Sequence, residues 1–403
     1  MWLLGGLTPD YKTISEFRRM NIRPMQKLFH KFVSLCKEWD MIGGELIAID
    51  GTKIKASNNK KNNFSRKKLE ARLLHIDERI NEYMTAAEND DETESKAKPE
   101  QLDELNERKA LYERYMEKLN ETGENELSAV DPDARLMGNN RGGVEMAYNV
   151  QSAVDAKAHI AVEFDVTKNP ADHGGLGVMV KKVKKRLKLR RFVVVADKGY
   201  YNGADLARVK RYKVKAIVSK QKAADPKDQP KEFNTDKFKY DERSDTYTCP
   251  MEKTLYPHSK KSADRRNFFN KSACEKCEFR GKCTNGQSGY RTVSRNKYAK
   301  VYDEVDKRTI ENMHLYKLRQ QIIEHTFGTI KFNMQGYYFL LRTQRKVRCE
   351  TAMLFLGYNL KRAYKYLGFK EILARLDAIC LIFEIIAKYM HLESNITPVY
   401  SVF

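Results

Sequence analysis

No run of about 18 uncharged apolar residues occurs in this chain, so nothing in it reads as a membrane-spanning helix. The longest candidate, Ala378 to Ala387, is too short and carries Glu384. With 32% charged residues, an integral membrane protein is excluded. A secretory signal is missing too. Met1-Trp2-Leu3-Leu4 has no basic residues, and Gly5-Gly6 ends the apolar stretch. The seven cysteines are odd in number and clustered. That argues against a disulfide framework and for a reducing, cytoplasmic setting, with a metal as one use for the thiols. Acid is the other shortage: 54 Asp+Glu stand against 75 Lys+Arg, a net charge of +21. Such an excess suggests a polyanionic partner, nucleic acid first. Charge alone does not separate an enzyme acting on DNA from a passive binder. The 403 residues suit two or three domains, and 41% apolar content is enough for a sizeable core.

The chain begins with helical patterns. Thr13 to Met20 is amphipathic and Asn21 closes it. Pro24 opens a second helix with Leu28, Phe29, Phe32, Val33 and Cys36 on one face. The period then switches. Glu45 to Gly51 reads as a buried strand with Asp50 at its carboxyl end. Leu69, Leu73, Ile76, Ile80 and Tyr83 form a stripe. Leu102, Leu105, Tyr112, Met116 and Leu119 form another, broken by Lys109. The two stripes predict an antiparallel helical hairpin around an acidic loop from Asn89 to Pro99, a spacer or dimer arm rather than the main DNA surface. Strands return at Ala147–Val154 and His159–Val166, joined through Asp155. A basic helix is expected over Leu176–Leu187. A β-branched strand over Arg191–Ala196 runs into Asp197-Lys198-Gly199-Tyr200. Leu206–Arg211 reads as a helix and Ala216–Ser219 as a strand. Residues 221–295 are polar and cysteine-bearing, and Tyr302–Tyr366 is mostly helical. With the insertions removed, the order is βββαβ…α. Three antiparallel strands, a crossover helix and a parallel strand make a mixed α/β sheet.

Asp50 and Asp197 therefore fall at the ends of two apolar strands, where α/β sheets place their ligand sites. A third acid, Glu324, lies on a helix with Ile322, Ile323, Phe327 and Ile330 as its core face. At about 100° per residue, Glu324 and Lys331 lie within about 20° of each other, whereas Arg319 is about 140° round from Glu324. Carboxylates are hard oxygen ligands for Mg²⁺ or Mn²⁺. Two such ions activate water or a 3′-hydroxyl and stabilise the leaving oxygen of a phosphodiester, while Lys and Arg neutralise the phosphates. Asp155, Asp165 and Asp172 are rival acids. Asp155 reads as a turn residue and Asp172 as the cap of the following helix. The glycine-rich loop Asn139-Asn140-Arg141-Gly142-Gly143 makes Arg141 a candidate phosphate contact.

Asp50-Gly51-Thr52, Ala196-Asp197-Lys198-Gly199-Tyr200 and Glu324-His325-Thr326-Phe327-Gly328-Thr329-Ile330-Lys331 resemble the three acidic motifs of bacterial DDE transposases. The similarity is to the insertion-sequence-four-like branch, whose third-acid helix carries a Tyr-Arg-Glu-Lys signature. It covers roughly residues 1 to 366. In its strict form the signature has three residues between Arg and Glu; here Arg319 and Glu324 have four between them. The resemblance implies an RNase H-like core. It implies that Asp50, Asp197 and Glu324 bind two Mg²⁺ or Mn²⁺ ions, and that Tyr316, Arg319 and Lys331 hold DNA phosphates; Lys198, next to Asp197, and Arg141 of the glycine-rich loop are further candidate DNA contacts. It also implies cleavage at terminal inverted repeats, strand transfer into target DNA, and a homodimer or larger assembly on DNA, away from membranes. The alternatives are a non-catalytic DNA-binding remnant and an RNase H-like nuclease. The expected layout is an N-terminal helical remnant (1–43), the first core strand (44–56), the hairpin insertion (57–130) and core (131–220). A cysteine-rich insertion (221–295), the rest of the catalytic core (296–370) and a C-terminal helix and tail (371–403) follow. The short stretch before the first strand leads to the expectation of an N-terminally truncated copy.

Cys249, Cys274, Cys277 and Cys283 have the pattern C-x24-C-x2-C-x5-C. Four thiolates suit a closed tetrahedral zinc site, in an insertion that shows little apolar core of its own. Cys36, Cys349 and Cys380 stand on apolar faces and read as core. His258 lies near the cysteine cluster, and His325 follows Glu324.

Overall fold

The structure, a computed structural model, describes residues 8–89, 99–138, 142–220, 230–258, 264–284 and 288–378. The protein is mixed α/β and divides into two compact units. One consists of Met1–Ala171, Lys185–Leu189 and Gln320–Phe403, the other of Asp172–Lys184 and Arg190–Arg319. No helix among the described residues is long and apolar enough to cross a membrane. The expected acidic loop (residues 90–98), Arg141, Cys380 and most of the C-terminal tail lie outside the described residues.

The first unit opens with helices α1 (Tyr11–Met20) and α2 (Ile22–Glu38). Asp10 starts α1 by accepting from Thr13 N at 2.7 Å. As the period of α2 requires, Phe29, Phe32, Val33 and Cys36 are its buried face. Strand β1 follows (Leu46–Lys55). Next come a short ribbon strand β2 (Asn63–Ser65), helices α3 (Arg66–Asn89) and α4 (Pro99–Thr122), and β3 (Glu126–Ser128), which pairs antiparallel with β2 and closes the stem of the helical pair. Phe64, Leu69 and Leu119 are the buried core of this arm. Lys109, the break in the apolar stripe, reaches Asp77 of α3 at 2.7 Å.

Strands β4 (Arg135–Gly138), β5 (Val144–Asp155) and β6 (Ala161–Thr167) complete the first unit's sheet. The long β5 is central. It pairs antiparallel with β1 on one side, and on the other with β4 near its start and β6 along the rest. The ladder corrects one expectation. Asp50 pairs with Ser152, and the pairing runs on without a break to Lys55 opposite Ala147. Asp50 therefore sits mid-strand, because Gly51 continues the ladder rather than turning.

The second unit begins with the start of α5 (Gly175–Leu187), then β7 (Val193–Ala196), α6 (Gly203–Arg211) and β8 (Lys215–Val218), with β7 and β8 parallel. The β-branched run ends at Ala196, and Lys198–Tyr200 is a 3₁₀ turn. The first turn of α5 draws on an acid from another helix. The N–H groups of Leu176 and Gly177 donate to the carboxylate of Asp205, at 2.8 and 2.9 Å. This acceptor is delivered from α6. A Cβ on Gly177 would stand 2.6 Å from Asp205 Oδ1, so this approach needs a glycine.

Strands β9 (Lys239–Asp241), β10 (Thr246–Thr248), β11 (Thr254–Pro257) and β12 (Arg265–Phe269) follow. Short helices α7 (Lys271–Glu275) and α8 (Arg280–Cys283) and strand β13 (Val293–Asn296) come after them. The strands form one five-stranded sheet in the order β13-β12-β11-β10-β9, antiparallel throughout. Phe238, Tyr247, Leu255, Phe268 and Val293 give it a small apolar core, where the sequence had shown little.

Helix α9 (Ala299–Glu311) lies on β8, with Thr309 Oγ1 bonded to both N and O of Val218 at 3.2 Å. Helix α10 (Met313–Gly328) passes from the second unit into the first after Arg319. It runs into a π-helical turn, Thr329–Asn333, in which Met334 N donates to Thr329 O at 3.0 Å. The segment after it pairs with the end of β1: Lys55 N donates to Tyr337 O, and Phe339 N to Lys55 O. Helix α11 (Gln344–Leu367) covers the first unit's sheet. Phe355 stacks on Phe164 of β6 at 5.5 Å, and Phe29 of α2 meets Phe164 edge-on at 5.2 Å.

Candidate active site

In the first unit, half-buried Asp50 accepts from Gly51 N at 2.8 Å through Oδ1. Residues directly opposite in an antiparallel ladder share a face, so Asp50, Ser152 and Phe164 point the same way. Phe164 packs against α2 and α11, which makes this the helix-covered face. Glu324 is exposed on α10 while its neighbours Ile322 and Ile323 are buried. The α-helical arithmetic that aligned Glu324 with Lys331 stops at Gly328, because the wider π turn changes the angle per residue beyond it. Burial holds the Lys331 ammonium below its usual pKa. Glu145 opposes that shift and the like charge of Lys53 adds to it. Lys53 and Glu145 are thus neighbours of a proposed phosphate ligand that no motif had marked. His325 is held below its usual pKa by burial and by Arg362. Its ring lies 6.2 Å from that of His159 and 6.4 Å from that of Tyr358.

In the second unit, Asp197 follows β7 directly and is half-buried, and exposed Lys198 opens the 3₁₀ turn behind it. Arg319 of α10 is only 9% exposed, with Nη2 3.6 Å from Asp197 Oδ1 and Cζ 5.9 Å from the ring centre of Tyr316. The expectation for Arg319 is a DNA phosphate contact, on a spacing one residue longer than the strict signature. Its position makes it the cation beside the second acid.

The rival acids have structural partners. Asp155, 1% exposed, accepts from Gly43 N, Gly44 N and Lys157 N at 3.0, 2.8 and 2.9 Å. Asp165 takes Arg348 at 2.6 Å. Among the described residues, no group of three or more His, Cys, Asp or Glu side chains stands together so that it could hold a metal ion. As oxygen donors, Asp50, Asp197 and Glu324 fit Mg²⁺ or Mn²⁺ by chemistry.

Cys249, Cys274, Cys277 and Cys283 line one cavity, and none of them is joined in a disulfide. Cys249 opens a tight turn. It donates its N–H to Lys253 O at 2.9 Å, and Lys253 N donates to its Sγ at 3.3 Å. Burial raises the Cys283 thiol pKa. Arg291 opposes this, and the three other cysteines add to the rise. Thiolates are donors that suit zinc by chemistry, but among the described residues the four are not gathered as an ion-holding group. His258 instead lies against the ring of Phe269, at 5.3 Å.

Residues 248–364 match the transposase DDE domain family. The matched segment holds all four cysteines, Tyr316, Arg319, Glu324 and Lys331; Asp50, Asp197, Lys198 and Arg141 fall outside it. No curated protein matches the chain. Among solved structures, the piggyBac transposase synaptic complex with hairpin DNA, determined by cryo-EM, is similar at 10% identity and a TM-score of 0.19. That match covers 58% of this chain and 50% of the piggyBac chain, so it spans half of that transposase.

Proposed function

We propose that the chain is a DDE transposase that cleaves phosphodiesters at the ends of a mobile DNA element and joins the freed 3′-hydroxyl to target DNA. One observation carries this reading: Arg319, inside the matched transposase segment, stands beside Asp197, the second acid of the three-motif series outside it. The chain order of antiparallel β1, β5 and β6, then α5, then parallel β7 and β8, supports an RNase H-like core. The Tyr-Arg-Glu-Lys series of α10 and its π turn supports the insertion-sequence-four-like branch.

In this reading Asp50, Asp197 and Glu324 hold Mg²⁺ or Mn²⁺. Bound divalent metal supplies Lewis-acid stabilisation of the attacking and leaving oxygens in an in-line displacement. Arg319 holds the Asp197 carboxylate in place through their ion pair. Lys331, Lys198 and Tyr316 position phosphates, and no covalent protein–DNA intermediate forms. Cys249, Cys274, Cys277 and Cys283 bind a structural zinc, and two copies act together on paired element ends.

The test is a cleavage and strand-transfer assay on the inverted repeats flanking the gene, with Mg²⁺ or Mn²⁺. Wild type should cleave and join, and Asp50→Asn, Asp197→Asn and Glu324→Gln should each fall below detection while still binding DNA. Full activity in any one variant removes that residue from the site. Cleavage without joining indicates a nuclease, and binding without cleavage indicates a DNA-binding remnant.

A further inference from the structure

Away from the acids, the first turns of α2 and α11 line an open groove of about 350 Å³, formed by Ile22, Arg23, Gln26, Gln344, Arg345 and Arg348. Its charge is not cancelled from within. Arg348 is committed to Asp165 at 2.6 Å. Exposed Arg23 and Arg345 have no ion pair or hydrogen bond among the described residues. Two nearby carboxylates are turned to backbone: Asp131 accepts from Thr343 N at 3.1 Å, and Asp133 from Gln344 N at 2.9 Å.

The cations continue along α2. Arg23, Lys27 and Lys31 are all exposed and recur every fourth residue, so each stands about 6 Å further along the axis. The opposite face, Phe29, Phe32, Val33 and Cys36, is buried, which fixes the stripe outward. The one acid of α2 is Glu38, at its far end. A groove with two free guanidinium forks suits phosphate oxygens. A row of further cations leading from it suits a chain of phosphates rather than one small anion.

We propose that this face docks the backbone of duplex DNA, with Arg23 and Arg345 holding phosphate oxygens in the groove and Lys27 and Lys31 following the strand. The proposal rests on the chain acting on DNA, and it adds a contact surface made of residues outside all three acidic motifs.

The test uses the whole chain, a short fluorescent duplex and anisotropy titrations over a range of salt. Each phosphate contact contributes about 0.9 to the slope of log affinity against log salt, so Arg23→Gln with Arg345→Gln should reduce the slope by about 1.8. Affinity should fall roughly tenfold or more at low salt, at about one decade per 1.4 kcal/mol lost. Lys67→Gln with Arg114→Gln on the helical arm removes the same charge and should change neither. Thermal melting checks that the variants are folded; Arg345→Glu alone is the second variant and should weaken binding further than Arg345→Gln. An unchanged slope in the groove variant, or an equal loss in both pairs, overturns the docking face and leaves the proposed function standing. If wild type binds no duplex, the reading of the chain as a DNA enzyme fails, and the docking face with it.

Discussion

Glu163 shows what a single buried carboxylate does in this protein. It is 5% exposed, and burial by itself would raise its pKa. His30 Nε2 donates to Oε1 at 3.3 Å and Arg186 Nε to Oε2 at 3.2 Å. Together with the Phe164 N–H, these carry the pKa below the ordinary 4.5. A depressed folded-state pKa means that the stabilisation is complete above the unfolded value and is lost as pH falls through the folded one. Glu163→Gln should therefore lower unfolding stability by about 1–3 kcal/mol at neutral pH. The gap from wild type should close in acid. Denaturant titrations across pH check this, and a gap that stays constant with pH would sink the idea. The acids proposed for catalysis are of another kind: Glu324 is exposed, and Asp50 and Asp197 are half-buried. Sequence picked out all three through strand ends and a motif. It did not single out Glu163, whose partners are more than twenty residues away in the chain.

At the scale of elements, the first turn of α5 is the most informative. The pattern predicts the helix within one residue, but it points to no acceptor from outside the segment. Asp205, 28 residues beyond Gly177, accepts from two of the helix's N–H groups. Local reading has no access to a cap delivered from another helix. Asp205→Ala should cost about 1–2 kcal/mol, with two helix N–H groups left unsatisfied. Asp205→Asn, which keeps an acceptor, should cost less. Thermal unfolding measures both, and equal losses would argue that the acceptor is not what matters. The π turn after Gly328 is a similar lesson. Helical arithmetic across Glu324 to Lys331 assumed a constant rotation, and only the observed hydrogen bonds show where it changes.

At the scale of the molecule, the cysteine-bearing part of the second unit is a thin five-stranded sheet with five core residues. A core this small benefits from a metal staple. The purified protein should carry about one zinc per chain, chelation should lower its melting temperature, and Cys274→Ser with Cys277→Ser should lose the metal. Negligible zinc in a protein whose unfolding ignores chelator would end that proposal. The charge of +21 was legible from composition. The α2–α11 groove was not, because Arg23 and Arg345 are far apart in sequence and meet only through packing. The sequence by itself determined the strands and helices of the core, the order of the three acids and the clustering of the thiols, since periodicity and motif spacing are properties of neighbours along the chain. Tertiary structure alone decided which carboxylates are spent on backbone and arginine, that Asp50 is mid-strand, that Arg319 stands beside Asp197, and where cations are left unneutralised. Burial and pairing are set by residues that approach through space, and spacing along the chain does not encode them.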